Sequence, residues 1–329
     1  MTKLTKQHNN LKEYIIPFLI LFITFFIILN PSTYMSSTLK GISVWATIVV
    51  PSLLPFFFLT KMLISFKSVY KISSIFSYGT KKLYNCPNIS SYIFFMSIIS
   101  GYPVGAKLIS EFYKNKTIDN GEAHRLISFC STSGPMFIIG SVGVSLFLDR
   151  LAGIIIFISH ILSSLINGLI YRKHKLSNLK NKQENIQVSS FLLNECMYNT
   201  IISVLTVGGF IAISFTIIEI MLNLNLLYPL ETLINLFFKG ANITPGKQIA
   251  EGIIEVTRGC VDLSYLNLKP VFYIPIVSGL VSFGGLSIHL QSFSFLQECD
   301  IKYKFFLLTK LTHLFISVFV SLILYLIIY

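Results

Sequence analysis

Long apolar stretches separated by short basic segments dominate the pattern of this chain. A membrane-spanning helix needs about 20 apolar residues, because the hydrocarbon core is about 30 Å thick. Six stretches meet this need without an obvious interruption, and they are Tyr14–Asn30, Gly41–Phe66, Ala123–Leu148, Leu151–Tyr171, Tyr198–Asn223 and Phe305–Tyr329. The pattern therefore predicts an all-α polytopic membrane protein with about six full spans.

Two further stretches, Ile89–Tyr113 and Val271–Leu296, are long enough to cross but contain glycine and proline at their centres. The first contains Ser100-Gly101-Tyr102-Pro103-Val104-Gly105-Ala106-Lys107, and the second contains Ser282-Phe283-Gly284-Gly285-Leu286-Ser287-Ile288-His289. Both strings interrupt a helix, since glycine permits a left-handed backbone and proline removes a donor. We interpret each stretch as a broken, re-entrant helical hairpin.

Basic residues indicate the side from which each hairpin enters. Lysines precede the first span, five more follow the second, and Arg172, Lys173, Lys175, Lys180 and Lys182 follow Leu151–Tyr171. Cytoplasmic loops are enriched in Lys and Arg, and all three clusters lie inside only if Ile89–Tyr113 does not cross. We therefore predict that 114–121 is cytoplasmic, that 299–304 is outside, and that the second hairpin enters from outside.

The two halves then share one order of elements with opposite polarity, which is typical of inverted-repeat transporters. The predicted units are an N-terminal span with an outer loop (1–40), a first repeat (41–171) with the broken hairpin 89–113 and the linking span 151–171, a basic cytoplasmic linker (172–197), and a second repeat (198–329) with the broken hairpin 271–296. Six basic residues between Lys239 and Lys304 would lie outside. Either some of them face the interior or Pro245–Asp262 makes an extra crossing, and both alternatives stay open.

Composition supports the membrane class. The chain is 53% hydrophobic and 12% charged, with a mean hydropathy of +0.71, whereas soluble domains carry roughly 25% charged residues. The net charge of +12 lies in short loops between apolar runs, so we do not expect nucleic-acid binding. The five cysteines lack metal-ligand spacing, and no phosphate-binding or catalytic motif is present. We expect no enzymatic activity, cofactor or metal; the partners are the lipid bilayer and a small solute, and a homo-oligomer is compatible with the sequence.

Polar groups at membrane depth form the candidate site. Ser131-Thr132-Ser133-Gly134-Pro135 interrupts the third span, with Ser133 as the N-cap and Pro135 in the first turn of a new half-helix. Such an end directs free N–H groups and a positive dipole end into the bundle, which suits an anion; the alternative is a tolerated proline kink. The candidate solute-binding residues are Gly101, Tyr102, Gly105, Lys107, Ser131, Ser133, Gly134, Arg258, Gly284, Gly285, Ser287 and His289.

Three of these candidates have structural alternatives. Lys107 can contact the solute, with Glu111 as its partner when the site is empty, or it can snorkel to the interface. Arg258 can form a structural salt bridge with Glu251 on one helical face. His289 is as well suited to packing as to ligand contact. Two other intramembrane histidines are expected to form hydrogen bonds between helices: His160 and His313.

These strings give the chain a resemblance to the YlbJ-type sporulation integral membrane proteins. It rests on Ser100–Lys107, Ser133–Gly143, Gly252–Cys260 and Ser282–Ser287, and it extends from about Gly41 to Leu324. That family is placed in the wider nucleoside-recognition (Gate) domain group, which is related to concentrative nucleoside transporters. The resemblance implies a nucleoside-transporter-like fold and a role in endospore formation, in which members move dipicolinate out of the mother cell across the outer forespore membrane.

The expected function is therefore membrane transport of a small anionic solute, with dipicolinate as the first candidate. The expected location is the outer forespore membrane on its mother-cell side, or the cell membrane. Dipicolinate is a small planar dianion, which suits half-helix N-termini beside Lys107 or Arg258. Two alternatives stay open. A transporter of nucleoside-like or other small solutes would have fewer cationic groups in its cavity, and a non-transporting sporulation scaffold would have continuous helices and no polar cavity.

Overall fold

The computed structural model describes residues 11–64, 71, 74–175 and 193–329, and all regular secondary structure in those ranges is helical. Five helical stretches within them are long and apolar enough to cross a membrane, and they are Pro31–Leu63, Arg150–Tyr171, Leu193–Asn223, Pro270–Cys299 and Tyr303–Ile328. This all-helical architecture is that of an integral, multi-pass membrane protein.

The N-terminal part consists of two helical stretches joined at Asn30. Helix α1 (Leu11–Leu29) is followed directly by α2 (Pro31–Val44), which continues through the π-helical segment π1 (Trp45–Val49) into α3 (Val50–Ile64). Proline suits the first helical turn, where its missing N–H costs no hydrogen bond. The predicted outer loop before residue 40 is therefore wrong, because α2 already begins at Pro31.

A helical hairpin occupies the first position where the sequence predicts one. After α4 (Ser77–Tyr84), hairpin 1 is formed by α5 (Ile89–Ser100) and α6 (Val104–Lys114), whose arms pack together. Gly101 makes the turn at φ +73°, a conformation that favours glycine. A Cβ atom built on Gly105 would lie 3.0 Å from Ser97 Cβ and 1.7 Å from Cys130 O, so glycine permits the close approach of the arms and of the next segment.

The next helix is broken, as the sequence predicts for 131–135. Helix α7 (Asn120–Ile127) starts at a capping box formed by Asp119 and Glu122, and irregular backbone then leads to the π-helical segment π2 (Met136–Leu146). The continuous helix α8 (Arg150–Tyr171) follows and packs against π2. We name the interruption at 128–135 break 1.

The second half begins with α9 (Leu193–Asn223), which starts inside the predicted linker 172–197; residues 176–192 of that linker lie outside the described residues. The exposed helix α10 (Tyr228–Phe238) then leads to a second helical hairpin. Hairpin 2 consists of α11 (Gly246–Ile254) and α12 (Val256–Ser264), joined at the extended residue Glu255. Its arms meet at two glycines, since a Cβ atom on Gly259 would lie 2.3 Å from Gly252 Cα.

The segment predicted as the hairpin 271–296 is instead a broken helix that runs from one end of the bundle to the other. It consists of α13 (Pro270–Phe283) and α14 (Gly285–Leu296), and α15 (Tyr303–Ile328) follows. Near the start of α13, the Tyr273 hydroxyl donates to Asp149 at 2.7 Å. Beyond the end of α14, Glu298 pairs with Lys114 at 2.7 Å. We name these ends of the bundle the Asp149 end and the Lys114 end.

The backbone at the glycine pair explains this correction. Gly284 and Gly285 both have positive φ, at +89° and +73°, so the helix is interrupted there. The two halves do not pack along one another as hairpin arms do, and their main neighbours differ: α13 packs against α15 and α8, whereas α14 packs against α6. A glycine pair in the sequence predicts a break, but it does not predict whether the chain reverses. We name the interruption at Gly284–Gly285 break 2.

Two expectations about sidedness change with this geometry. The side chain of Asn120 donates to Cys299 O at 2.6 Å, so 114–121 and the start of 299–304 lie at the same end, not on opposite sides. The reversal in the second half lies at 246–264, within the segment whose path the sequence left open. The order of hairpin, broken helix and continuous helix thus occurs twice in the described residues, first in α5–α8 and then in α11–α15.

Candidate functional site

The two hairpin tips and the two helix breaks meet in one region. A Cβ atom on Gly101, at the tip of hairpin 1, would lie 2.5 Å from Gly134 N in break 1. A Cβ atom on Gly285, in break 2, would lie 3.0 Å from Val256 N at the tip of hairpin 2. The Tyr102 hydroxyl connects hairpin 1 with the second half, because it donates to Val281 O at 3.3 Å. All four interruptions therefore share one site.

A small cavity of about 70 Å³ lies at this meeting point, and we call it the deep cavity. Residues from both hairpin tips, from break 1 and from the start of α14 just after break 2 line it, together with apolar side chains of α3 and α9. Among them are Ser100, Gly101, Tyr102, Ser133, Gly134, Met136, Phe137, Glu255, Val256, Thr257, Ser287 and Ile288. The first turns of π2, α12 and α14 contribute to this lining. Free N–H groups and positive dipole ends are concentrated at such helix starts.

A larger cavity of about 280 Å³ adjoins the deep cavity toward the Lys114 end, and we call it the wide cavity. It is lined by Lys61, Lys107, Thr60, Ser203, Thr206 and Ser294 among others. Six residues line both cavities: Phe57, Ser100, Tyr102, Val207, Phe210 and Gln291. The two cavities are therefore adjacent, and aromatic side chains lie between them.

The charges of the two cavities differ in sign. Lys61 and Lys107 line the wide cavity. Among the described residues that line the deep cavity, Glu255 is the one with an ionisable carboxyl group. This carboxylate is the N-cap of α12, and it accepts a hydrogen bond from Arg258 N at 2.7 Å. Glu255 is therefore held by its own half-helix start, which compensates part of its charge.

Six of the predicted solute-binding residues line the cavities. Gly101, Ser133, Gly134 and Ser287 line the deep cavity, Lys107 lines the wide cavity, and Tyr102 lines both. The structure changes one detail of this prediction. Ser133 is not the N-cap of the half-helix as predicted, because Pro135 occupies that position and no side chain caps π2; the Ser133 N–H instead donates to His160 Nε2 at 2.9 Å.

The other six predicted residues lie outside the lining of both cavities. Gly105, Gly284 and Gly285 serve close backbone approaches around the site. His289 is held by two hydrogen bonds: its Nε2–H donates to Phe283 O at 2.9 Å, and its Nδ1 accepts from the Tyr303 hydroxyl at 3.2 Å, which supports the packing role. The remaining two are described below: Ser131 and Arg258.

Arg258 is part of a buried ion-pair cluster in which several acceptors already occupy its guanidinium group. It pairs with Glu219 at 3.0 Å, with Glu251 at 3.3 Å and with Asp262 at 4.0 Å. It also donates to Phe215 O at 2.8 Å. The sequence suggested the pair with Glu251 but not the contribution of Glu219 from α9. This arrangement gives Arg258 a structural role, and the prediction that it holds the solute is not supported by its position.

His160 connects the two breaks, which agrees with the expectation that it bonds between helices. Because its Nε2 accepts from Ser133 N–H, its proton is on Nδ1, which donates to Ser282 Oγ at 2.8 Å. His313 in turn contacts His160 O through Nε2 at 3.1 Å. A neutral imidazole on α8 thus fixes break 1 relative to α13.

Two residues at the site were missed by reasoning from the sequence. The sequence does not single out Glu255, although the nearby glycines Gly252 and Gly259 could have indicated a hairpin around it. Lys310 is buried in the apolar helix α15, where it donates to the Tyr102 hydroxyl at 2.6 Å and to Ser131 O at 3.1 Å. The sequence signal for Lys310 was its position within an apolar run. A lysine at membrane depth is energetically costly, and such residues usually have a functional role.

At the Asp149 end, a hydrogen-bonded carboxylate joins three helices. Asp149 caps α8 through Ala152 N at 2.9 Å and accepts from the hydroxyl groups of Tyr273 and Tyr329, both at 2.7 Å. Burial alone would raise the pKa of Asp149, but these hydrogen bonds outweigh it and hold the pKa below its usual value. This clamp fixes the outer ends of α8, α13 and α15.

The fold and the site define a multi-pass helical membrane protein with two adjacent, partly polar cavities between broken helices. The chain is 29% identical to the sporulation integral membrane protein YlbJ of Bacillus subtilis (strain 168), over an alignment of 331 positions that covers 92% of this chain and 80% of YlbJ. This similarity supports the resemblance to the YlbJ-type proteins. No protein-family model matches the chain, and no solved structure matches it significantly. Within the described residues, no group of His, Cys, Asp and Glu side chains is arranged to hold a metal ion.

Proposed function

We propose that this protein carries a small anionic solute across a membrane during endospore formation, with dipicolinate as the first candidate. The observation that carries the proposal is that a cavity lined by two lysines adjoins a second cavity at the meeting point of four helix interruptions. Interrupted helices at membrane depth are costly unless they line a cavity, and transporters use such half-helix ends to bind solutes. The similarity to the sporulation protein YlbJ supports the part of the proposal that concerns endospore formation.

The direction of entry follows from the charge of the Lys114 end. Lys114, Lys116 and Lys175 lie at this end, together with Lys302 and Lys304 at the start of α15. Because cytoplasmic loops are enriched in basic residues, these lysines support a cytoplasmic location for this end. The wide cavity then lies on the cytoplasmic side of the deep cavity, which supports uptake of the solute from the mother cell. Hairpin 1 and hairpin 2 enter from opposite faces in this orientation, as in an inverted repeat.

The two cavities suit different parts of an aromatic dicarboxylate. Its carboxylates fit the wide cavity, where Lys61 and Lys107 supply positive charge, and its ring fits between Phe57 and Phe210, which line both cavities. The carboxylate of Glu255 disfavours a second anion in the deep cavity. A nucleoside-like solute is the second candidate, because Glu255 and the nearby serines can accept or donate hydrogen bonds to uncharged polar groups. The broken helices and the polar cavity favour transport over a scaffold.

The test uses the full-length protein in liposomes with radiolabelled solutes. We expect uptake of dipicolinate that exceeds uptake of its uncharged diamide and of a nucleoside. Lys107→Gln should lower dipicolinate uptake at least tenfold and leave diamide uptake within about twofold. Lys116→Gln is the matched control, since Lys116 is exposed at the same end of hairpin 1 and outside both cavities.

Three results would decide against parts of this proposal. Nucleoside uptake without dipicolinate uptake favours the second candidate. Equal loss of all solutes in Lys107→Gln makes Lys107 a folding residue and refutes the charge argument. Absence of uptake of every solute by a well-folded preparation contradicts a transport function.

A further inference from the structure

A buried lysine contacts the tyrosine that lines both cavities. Lys310 is 1% exposed, and its Nζ lies 2.6 Å from the Tyr102 hydroxyl and 4.5 Å from the centre of the Tyr102 ring. Tyr102 belongs to the tip of hairpin 1 and lines the deep and the wide cavity. One side chain therefore contacts the solute space and a buried lysine amino group at the same time.

Lys310 has no acidic partner among the described residues. None of the ion pairs found there includes it, whereas the buried guanidinium group of Arg258 contacts three carboxylates. The titratable groups that face Lys310 are Tyr102, His160, His289 and His313. None of these supplies a carboxylate. A buried charge that lacks a counter-charge is unfavourable, which makes an intramembrane lysine of this kind a candidate functional residue.

The surroundings of Tyr102 also contain unused hydrogen-bonding capacity. An ammonium group has three N–H donors, and Lys310 donates to two acceptors in the described residues, Tyr102 and Ser131 O. The hydroxyl groups of Ser100 and Ser131 are buried and have no hydrogen-bond partner. Ser100 lines both cavities beside Tyr102. A carboxylate accepts several hydrogen bonds and brings the missing negative charge, so it would satisfy both deficits.

We propose that Tyr102 and Lys310 act as a pair that recognises a carboxylate of the transported solute. The Tyr102 hydroxyl donates to the carboxylate, and Lys310 supplies the positive charge through the same hydroxyl. The present acceptors of this hydroxyl, Val281 O and Ser282 O, are 3.3 and 3.5 Å away, so these bonds are long and a carboxylate can replace them.

This inference rests on the proposed function and adds a specificity-determining pair to it. Lys61 and Lys107 attract the anion into the wide cavity, while Tyr102 and Lys310 select its carboxylate on the side of Tyr102 that lines the wide cavity. The structural alternative is that the hydrogen bonds of Lys310 to Tyr102 and Ser131 O only stabilise the packing of hairpin 1 in the bundle. Loss of such a structural role would weaken the binding of every solute equally, whereas loss of carboxylate recognition weakens the binding of charged solutes alone.

The experiment measures equilibrium binding of radiolabelled dipicolinate and of its uncharged diamide to the purified full-length protein in detergent. The variants are Tyr102→Phe, Lys310→Met and the double variant; Lys304→Met, an exposed position on the same helix, is the control. Each single substitution should weaken dipicolinate binding at least tenfold and diamide binding less than threefold. The double variant should bind dipicolinate about as weakly as Lys310→Met alone, since the two residues act through one contact.

The outcomes separate this inference from the proposed function. Suppose that the wild-type protein binds dipicolinate. If the variants then lose binding of dipicolinate and of the diamide equally, or lose neither, the inference alone is overturned. Fully additive losses in the double variant also overturn it, because the residues then act independently. Folded wild-type protein without dipicolinate binding overturns the proposed function together with the inference. If Lys310→Met does not fold, Tyr102→Phe decides the matter, since it removes a single oxygen atom.

Discussion

The close approach of hairpin 1 to break 1 gives the sharpest test of the structure, through Gly105→Ala. A Cβ atom at this position would lie 1.7 Å from Cys130 O, whereas ordinary contacts begin at 3.4 Å. The backbone of α6 and the backbone around Cys130 must therefore separate by about 1.7 Å. The obstacle is a buried backbone oxygen, not the end of a flexible side chain, so nearby groups cannot relieve the clash by rotating.

The expected cost follows from two opposing terms. Overpacking of a core typically costs about 1–3 kcal/mol, and a clash with backbone belongs at the upper end of that range. Replacing glycine by alanine within a helix contributes about 1 kcal/mol in the favourable direction. The net destabilisation is about 2 kcal/mol, which corresponds to roughly 4 °C in unfolding temperature for a chain of this size. Transport should fall as well, because α6 and break 1 both border the cavities.

The assay is thermal unfolding of the purified protein in detergent, together with uptake in liposomes. Gly209→Ala is the matched control, because it changes the same residue type in α9 with nothing within 4 Å of the new Cβ atom. The control should unfold at the wild-type temperature or slightly above it. If Gly105→Ala also unfolds at or above the wild-type temperature, the close approach of α6 to Cys130 is wrong.

Three further predictions concern the ion cluster, the sidedness and the clamp at the Asp149 end. Arg258→Met should destabilise the protein by about 3–5 kcal/mol, because it leaves the buried carboxyl group of Glu251 without its partner. Unchanged thermal unfolding together with a selective loss of anion uptake would instead indicate that Arg258 contacts the solute. Cysteines introduced at Lys116 and Lys302 should react with an impermeant maleimide from the same side of the membrane. The background labelling should be low, because all five native cysteines are buried. Labelling from opposite sides would contradict the broken helix at 270–296. Asp149→Asn should lower the unfolding temperature by a constant amount between pH 5 and 8. Because the pKa of Asp149 is lower in the folded protein, its contribution to stability is complete above its ordinary pKa of about 3.9 and is lost as the pH falls through the folded pKa. A difference in unfolding temperature that persists unchanged well below pH 4 would argue against the clamp.

The sequence alone was sufficient to determine the class of fold and the main elements. Apolar length fixed most of the helices, since a span must cover the hydrocarbon core whatever its neighbours are. Local chemistry also located break 1 at Ser131–Pro135, break 2 at Gly284–Gly285 and the turn of hairpin 1 at Gly101. These features depend on the backbone preferences of single residues, and such preferences can be read from the chain itself.

The tertiary structure decided which interruptions reverse the chain and which residues meet at the site. Hairpin 2 is short and contains charged residues, so its burial depends on packing against other helices rather than on apolar length. Arg258 forms an ion pair with Glu219, which lies 39 positions earlier in the chain, and Lys310 donates a hydrogen bond to Tyr102, which lies 208 positions earlier. Contacts at such separations depend on how the helices pack, and no local pattern of residues encodes them.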